Sequence, residues 1–367
     1  MTRLVAVDLP TSDEFVDTLH RIWDAGDAIL PLDQRLPQAA RAALVQRFGA
    51  AEVVSPHGID MMATPRPYGP DDALVIATSG TTGLPKGVIH THESLDASTR
   101  MVSAALHLSR HDHWVACLPV AHIGGFGVVS RAVATGARLT CLRRADTELL
   151  RDAVDKGATH TAIVPALLPR IEASDWKTIL VGGSAIPGDR PSNVVATYGL
   201  TETCGGIAYD SIPLPGVDVR IADGEILVRT PTMCRSYVDG MMRMTDDWLR
   251  TGDFGTFDDG RLKVDGRRDD LIITGGSKVW PHPVERLLLT HPQVADVVVR
   301  GLPDDTWGAV VCAWIVPRDH AHPPLLDSLR TTVRSELSEV AAPRRIIIVD
   351  EIPRTSLGKP IVADLPR

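Results

Sequence analysis

Residues 78–87 read TSGTTGLPKG, four hydroxyl side chains and three glycines with a lysine next to the last of them. Gly80, Gly83 and Gly87 let a backbone approach a polyanion and adopt positive φ, while Thr78, Ser79, Thr81 and Thr82 offer hydroxyl and amide donors to phosphate oxygens. Lys86 adds a mobile cation. The stretch is not the loop of ordinary P-loop nucleotidases. Their G-x-x-x-x-G-K-[ST] pattern, counted from Gly80, meets Pro85 at the second glycine and Gly87 at the metal-binding hydroxyl. Alone, the ten residues are equally compatible with a Gly/Thr-rich surface loop, so the rest of the chain has to decide.

Immediately upstream, residues 73–77 (ALVIA) form a short apolar run, which predicts a strand feeding the loop. Residues 11–26 and 37–48 carry apolar positions at helical spacing. Short apolar strands at 114–118, 137–142, 160–164 and 178–181 alternate with helical patterns downstream. This alternation predicts a large layered α/β N-terminal domain. Beyond residue 213 the pattern turns β-rich (217–221, 225–229, 260–264), which suggests a small β-subdomain. From residue 269 a helix (284–289), two strands (294–299, 310–316), a helix (325–337) and a strand (346–349) predict a separate α+β unit. The expected division is 1–267, a junction at 268–270, and 271–367.

The 367 residues suit a large domain plus a smaller one. Lysine and arginine total 38 against 46 acidic residues, a net charge of -8, which argues against a broad cationic surface for nucleic acid or anionic membrane. Five cysteines, widely spaced and without C-x-x-C, suggest neither a disulfide framework nor a zinc site and fit a reducing cytoplasm. Asp8, Asp13 and Glu14 interrupt any signal-peptide core, and no apolar run approaches the ~18 residues of a membrane span. Lysine occurs only at 86, 156, 177, 263, 278 and 359, so Lys86 and Lys359, both beside glycine-rich loops, stand out against an arginine-rich background.

Four further blocks carry chemistry. Gly182 to Pro187 (GGSAIP) and Tyr198 to Thr203 (YGLTET) follow predicted strands, where open α/β sheets bind ligands. A tyrosine can stack on a base, a threonine can bond a phosphate oxygen, and a carboxylate can hold Mg²⁺. WLRTGD at 248–253 presents Asp253 after a glycine turn, with GRRDD at 266–270 behind a strand. PRTSLGK at 353–359 sets Lys359 on a flexible loop. Singly, each block also reads as a capped or solvated turn.

Together and in this order, the five blocks resemble the adenylate-forming superfamily of acyl-CoA synthetases, nonribosomal-peptide adenylation domains and luciferases, from residue 78 to residue 359. The resemblance implies a carboxylate attacking the α-phosphate of MgATP to give an acyl-adenylate, followed by displacement of AMP by a thiol. It implies that Thr78, Ser79, Gly80, Thr81, Thr82, Gly83 and Lys86 grip the β,γ-phosphates. Gly183, Ser184, Ala185, Tyr198 and Gly199 would line the adenine site, with Thr201 at the α-phosphate and Glu202 on Mg²⁺. Asp253 and Arg267 would take the ribose. Asp269 would lie in the hinge of a mobile C-terminal domain, and Lys359 would bridge carboxylate and α-phosphate in the first half-reaction only. CoA's pantetheine would pass residues 272–276 (IITGG), including Gly275 and Gly276. The family often continues with Glu-Asn there, whereas this chain has Ser277-Lys278. The 77 residues ahead of the loop are fewer than in similar enzymes, which should narrow substrate contacts or change oligomerisation. A homodimer is the assembly the family suggests.

His122, in LPVAHIGG, occupies the family's gate between the ATP and acyl sites; a helix-start histidine bonded to backbone is the alternative. Arg131 lies in an otherwise apolar helical run, GVVSRAV at 127–133. A charge there is costly unless paired, either with an acidic core neighbour or with a second carboxylate on the substrate. Residues 122–131 and 198–221 are similar to the 2-succinylbenzoate-CoA ligases of menaquinone biosynthesis. In that likeness Arg131 would hold the ring carboxylate and Gly205 and Gly206 would line the aromatic ring's path. Another aryl- or acyl-CoA ligase, a carrier-protein-loading enzyme of the same fold, and a non-catalytic nucleotide-binding protein remain the alternatives.

Overall fold

The computed structural model describes residues 2–78, 84–183, 190–240, 242–354 and 360–366. The chain forms two compact units, Met1–Val219 with Val228–Leu249, and Arg220–Leu227 with Arg250–Arg367. Residues 250–267 pack with the second unit, so that unit begins ahead of the 268–270 junction read from the sequence.

The first unit is built on two seven-stranded sheets. One runs Ser236–Tyr237, Lys86–Thr91, Asp72–Thr78, Ala28–Pro31, Leu4–Val7, Glu52–Ser55, Gly58–Met61. Its centre is parallel, and the phosphate-loop strands Asp72–Thr78 and Lys86–Thr91 pair antiparallel, with Thr78 opposite Lys86. The other runs Ile212–Pro213, Gly205–Tyr209, Val194–Leu200, Thr178–Val181, His160–Ile163, His113–Ala116, Arg138–Cys141. Parallel strands covered on both faces need no polar face, and all four residues of His113–Ala116 and of His160–Ile163 are buried.

Sequence sets the layers. Ser12 caps the helix Asp13–Asp24 by accepting from the Phe15 amide, and Phe15, Thr18, Leu19 and Ile22 fall on one buried stripe at helical spacing. With Leu95 and Val102 of His92–Leu106 and Phe126, Val128 and Val129 of Ile123–Thr135, they join one face of each sheet in a single core that includes Val5, Ile76, Trp114 and Leu180. The opposite faces are covered by Leu44, Val45 and Phe48 of Gln38–Phe48 and by Leu150 and Ala153 of Thr147–Asp155. The result is α/β/α/β/α layering, as the alternation of elements predicts.

In the second unit, Trp248–Asp258 supplies residues 250–258, which pair antiparallel with Arg261–Arg267. A three-stranded sheet follows, Val294–Asp304 antiparallel to Gly308–Pro317 and the latter parallel to Arg345–Ile348. Helices Pro281–Leu288 and Leu326–Glu336 cover it with Val284, Leu288, Leu329 and Val333 over Val297, Val299, Val311 and Ile315. Two expected turns are corrected. Residues 198–200 continue the strand Val194–Leu200, so the turn starts at Thr201, and Gly252 lies within the strand Trp248–Asp258 rather than in a loop. In both places backbone pairing extends past the glycine that punctuates the sequence.

Candidate active site

Thr201 and Glu202 sit on the short 3-10 turn Thr201–Thr203 between two antiparallel strands. Thr203, fully buried, locks the turn: its hydroxyl accepts from the Leu200 amide at 2.9 Å and lies 2.9 Å from the Gly205 carbonyl. The strands close so tightly that a Cβ on Gly199 would lie 1.9 Å from the Gly205 carbonyl oxygen, and only glycine fits. His90, fully buried, donates through Nε2 to the Thr201 carbonyl at 2.7 Å. Burial pushes its imidazole down to about 4 even though the carbonyl favours the protonated ring, so His90 is a neutral prop.

Glu202 is half-buried, and its Oε1 accepts from the Tyr237 hydroxyl at 2.7 Å. Burial, and then the Glu202 charge, push the Tyr237 phenol well above its ordinary value, which keeps the hydroxyl a donor. The Lys86 ammonium lies 5.2 Å from the centroid of the same ring. Thr78 closes the base of the loop, its hydroxyl 3.4 Å from the Lys86 carbonyl. Thr78, Lys86, Thr201 and Glu202 are thus joined through the two strand ends and Tyr237.

His122 starts the helix Ile123–Thr135, and its side chain bonds to another side chain rather than to backbone. Nε2 is 3.1 Å from Asp33 Oδ2 and 3.0 Å from Arg35 Nη2, while Arg35 also pairs with Asp33 at 2.8 Å. Burial would raise the Asp33 carboxyl, but the hydrogen bonds from His122 and Arg35 outweigh it and hold Asp33 well below the usual carboxylate range. About two and a half helical turns along, Arg131 is only 7% exposed. Its guanidinium carbon lies 5.3 Å from the Trp114 ring centroid, and its Nε has no hydrogen-bond partner. Burial lowers its pKa from the ordinary value, while nearby Tyr209 and Cys204 act the other way. Among the described residues no carboxylate pairs with Arg131, so an aromatic platform replaces the acidic core partner. Gly205 and Gly206 begin the strand that carries Tyr209.

In the second unit, Asp253 is buried and accepts from Arg267 Nε at 3.1 Å, and its amide donates to the Thr251 hydroxyl at 3.0 Å. Next to them Glu225, with no exposed surface, takes the amide of Gly252 at 3.0 Å and hydrogen bonds from Arg250 and Arg268. Asp269 is exposed on the 3-10 turn Arg268–Asp270. Gly275 and Gly276 form the turn of the hairpin Ile272–Thr274 and Ser277–Val279, where Gly275 donates its amide to the Trp307 carbonyl at 2.9 Å. Gly183 ends the described part of its loop, following the strand Thr178–Val181, and Tyr198 lies in Val194–Leu200.

Ser79, Gly80, Thr81, Thr82, Gly83, Ser184, Ala185 and Lys359 lie outside the described residues. Sequence reasoning missed Asp33, Arg35, His90, Trp114 and Tyr237. None belongs to a glycine-punctuated block; Arg35 meets Asp33 locally, but Asp33 reaches His122, His90 reaches Thr201, Trp114 reaches Arg131 and Tyr237 reaches Glu202 only through tertiary pairing. No group of three or more His, Cys, Asp or Glu able to hold a metal occurs among the described residues, and no helix among them is long and apolar enough to cross a membrane.

Residues 56–238 match the AMP-binding enzyme family and residues 283–359 match the AMP-binding enzyme C-terminal domain. A probable 2-succinylbenzoate–CoA ligase of Mycobacterium tuberculosis is 37% identical over 321 residues, 79% of this chain and 82% of the relative. The 2-succinylbenzoate–CoA ligase of Bacillus licheniformis is 33% identical over 330 residues, 79% of this chain and 68% of the relative. The solved o-succinylbenzoate CoA synthetase of Bacillus subtilis in complex with AMP superposes with a TM-score of 0.85 at 25% identity, covering 100% of this chain and 88% of that one.

Proposed function

The chain belongs to the AMP-binding enzyme family, and from that premise we propose that it is an ATP-dependent acid–thiol ligase acting on 2-succinylbenzoate and CoA. A succinyl carboxylate oxygen attacks the α-phosphorus of ATP, the bond to pyrophosphate breaks, and an acyl-adenylate forms. The CoA sulfur then attacks the acyl carbon, the bond to AMP breaks, and the thioester leaves. A free carboxylate is a poor acyl donor because oxide is a poor leaving group; AMP is a good one. The protein's work is to neutralise charge developing on phosphorus and to keep water from the adenylate.

In this reading Thr78, Lys86 and the loop between them hold the β,γ-phosphates, Thr201 contacts the α-phosphate, and Tyr198, Gly199 and Gly183 line the base. Asp253 and Arg267 take the ribose, Lys359 bridges the two reacting groups, and Asp269 with Gly275 and Gly276 serves the change to the thiol step. Glu202 suits Mg²⁺. Its second oxygen, Oε2, has no hydrogen bond among the described residues, and a nucleotide-bound Mg²⁺ asks for one or two carboxylates beside phosphate and water ligands. When bound, the ion would offset phosphate charge. His122, held by Asp33, which Arg35 holds in turn, gates the passage between ATP and acyl sites.

The observation that carries the choice of acid is Arg131: buried, stacked on Trp114, and without a carboxylate partner among the described residues. A buried guanidinium left so is matched by the ring carboxylate of 2-succinylbenzoate, which a fatty-acid pocket would reject. The relatives' names support the same acid, one being called a probable 2-succinylbenzoate–CoA ligase and the other a 2-succinylbenzoate–CoA ligase. Menaquinone biosynthesis is the corresponding pathway. A cytoplasmic location, which the scattered cysteines fit, and a homodimer, which rests on the family likeness alone, complete the proposal. The test is pyrophosphate release with 2-succinylbenzoate against benzoate and a medium-chain fatty acid, with and without CoA. Turnover selective for another acid keeps the chemistry and removes the pathway; no turnover with any acid supports a binding protein.

A further inference from the structure

We propose that Tyr237 is a positioning residue that ties the metal-binding carboxylate to the phosphate-loop cation, so that one side chain sets the orientation of Glu202 and the location of Lys86. The inference rests on the reading of Glu202 as the Mg²⁺ ligand and of Lys86 as a β,γ-phosphate contact.

Three observations carry it. The Tyr237 hydroxyl donates to Glu202 Oε1 at 2.7 Å, which occupies one carboxylate oxygen and leaves Oε2 for another ligand. The face of the same ring receives the Lys86 ammonium 5.2 Å from its centroid, within the range of a cation–π contact. Finally, the segment around Tyr237 is fixed to both partners through its backbone. Tyr237 pairs with Val88 and Ser236 with Ile89, the Val238 amide donates to the Gly87 carbonyl at 2.8 Å, and the Cys234 amide donates to the Glu202 carbonyl at 2.7 Å. Arg235 clamps the buried Asp72 with two bonds, at 2.7 and 2.8 Å, at the start of the strand leading to Thr78. The short edge strand Ser236–Tyr237 therefore does more than complete the sheet. It brings one phenol to the meeting point of the two groups that must grip the same triphosphate.

The two contacts use different parts of the side chain, so two variants of the full-length protein separate them. Tyr237→Phe removes the hydroxyl and keeps the ring; Tyr237→Leu removes both. Calorimetric titration with ATP plus Mg²⁺, ATP plus EDTA, and AMP reads binding without turnover. Tyr237→Phe should weaken binding of ATP with Mg²⁺ by roughly 10-fold, the scale of losses when a metal ligand's supporting bond is removed, and leave ATP in EDTA and AMP within about twofold. Tyr237→Leu should add a loss of roughly two- to fivefold for ATP in EDTA, with AMP unchanged, because Lys86 is no longer anchored. Glu202→Gln is the reference for the metal reading. If it abolishes the Mg²⁺ dependence while Tyr237→Phe keeps the wild-type ratio of affinities with and without Mg²⁺, the inference is wrong and the proposed metal site stands. If Glu202→Gln leaves that ratio unchanged, both are wrong. Equal weakening of all three ligands by both tyrosine variants would mark Tyr237 as structural only and overturn the inference.

Discussion

Arg131 carries the sharpest chemical demand in the molecule, because a guanidinium removed from water must recover its solvation from somewhere. Stacking on Trp114 recovers part of it; a second substrate carboxylate would recover more. Arg131→Ala is expected to raise KM for 2-succinylbenzoate by roughly 30- to 150-fold, the equivalent of about 2–3 kcal/mol for a buried charge pair. KM for ATP should stay within about twofold, and the analogue lacking the ring carboxylate should respond little to the substitution. Steady-state kinetics with both acids checks this, and equal effects on acid and ATP would remove Arg131 from the acyl site. The arginine was conspicuous in the sequence because it interrupts an apolar helical run. Trp114, which lies where the alternative reading put an acidic core partner, was not, since a tryptophan in a buried strand looks like any other core residue.

The strand–turn–strand from Val194 to Tyr209 shows what one element contributes. Its turn presents Thr201 and Glu202, and its closure depends on Gly199 lying against the Gly205 carbonyl. Gly199→Ala forces the strands apart or the turn out of register. It should cost about 1–3 kcal/mol of stability by overpacking and raise KM for ATP several-fold, read by denaturant unfolding and by kinetics at saturating acid. Retention of wild-type ATP affinity would mean that the turn tolerates displacement. Part of the strand set is legible in the sequence: the apolar runs at 73–77, 160–164, 178–181 and 225–229 match Asp72–Thr78, His160–Ile163, Thr178–Val181 and Glu225–Arg229 to within a residue, whereas the strands Leu4–Val7 and Ala28–Pro31 do not announce themselves. The exceptions are instructive. Tyr198 and Gly252 were read as turn residues from their glycine neighbours, yet backbone pairing runs through both sites. Tyr237 lies on a strand of two residues, too short for any periodicity, and its role follows only from the sheet that seats it beside Lys86.

At the scale of the whole molecule, stability and catalysis make separate demands. His90 is buried and neutral, with its pKa pushed down to about 4, against ~6.5 in an unfolded chain. Below ~6.5 the unfolded state binds the proton that the folded state refuses, so stability is full at neutral pH and declines as pH falls from ~6.5 towards 4. At pH 5 the loss from this one residue should be about 2 kcal/mol, seen as a lower urea midpoint than at pH 7.5, and His90→Gln should flatten that dependence; an unchanged slope in the variant would assign the acid sensitivity elsewhere. Catalysis asks for two chemically distinct steps from one chain, and the proposal divides them by residue: Lys359 serves the attack on ATP and has no part in the attack of the thiol.

The most direct measurement follows both steps in one protein. Purified enzyme and its Lys359→Ala variant are each given 2-succinylbenzoate with MgATP, and separately the preformed 2-succinylbenzoyl-adenylate with CoA, with pyrophosphate and thioester followed by mass. The expected result is selective formation of 2-succinylbenzoyl-CoA by the wild type, a loss of roughly 100-fold or more in pyrophosphate release by the variant, and thioester formation from the adenylate within a few-fold of wild type. Absence of 2-succinylbenzoyl-CoA from the wild type, or equal loss of both steps in the variant, would contradict it.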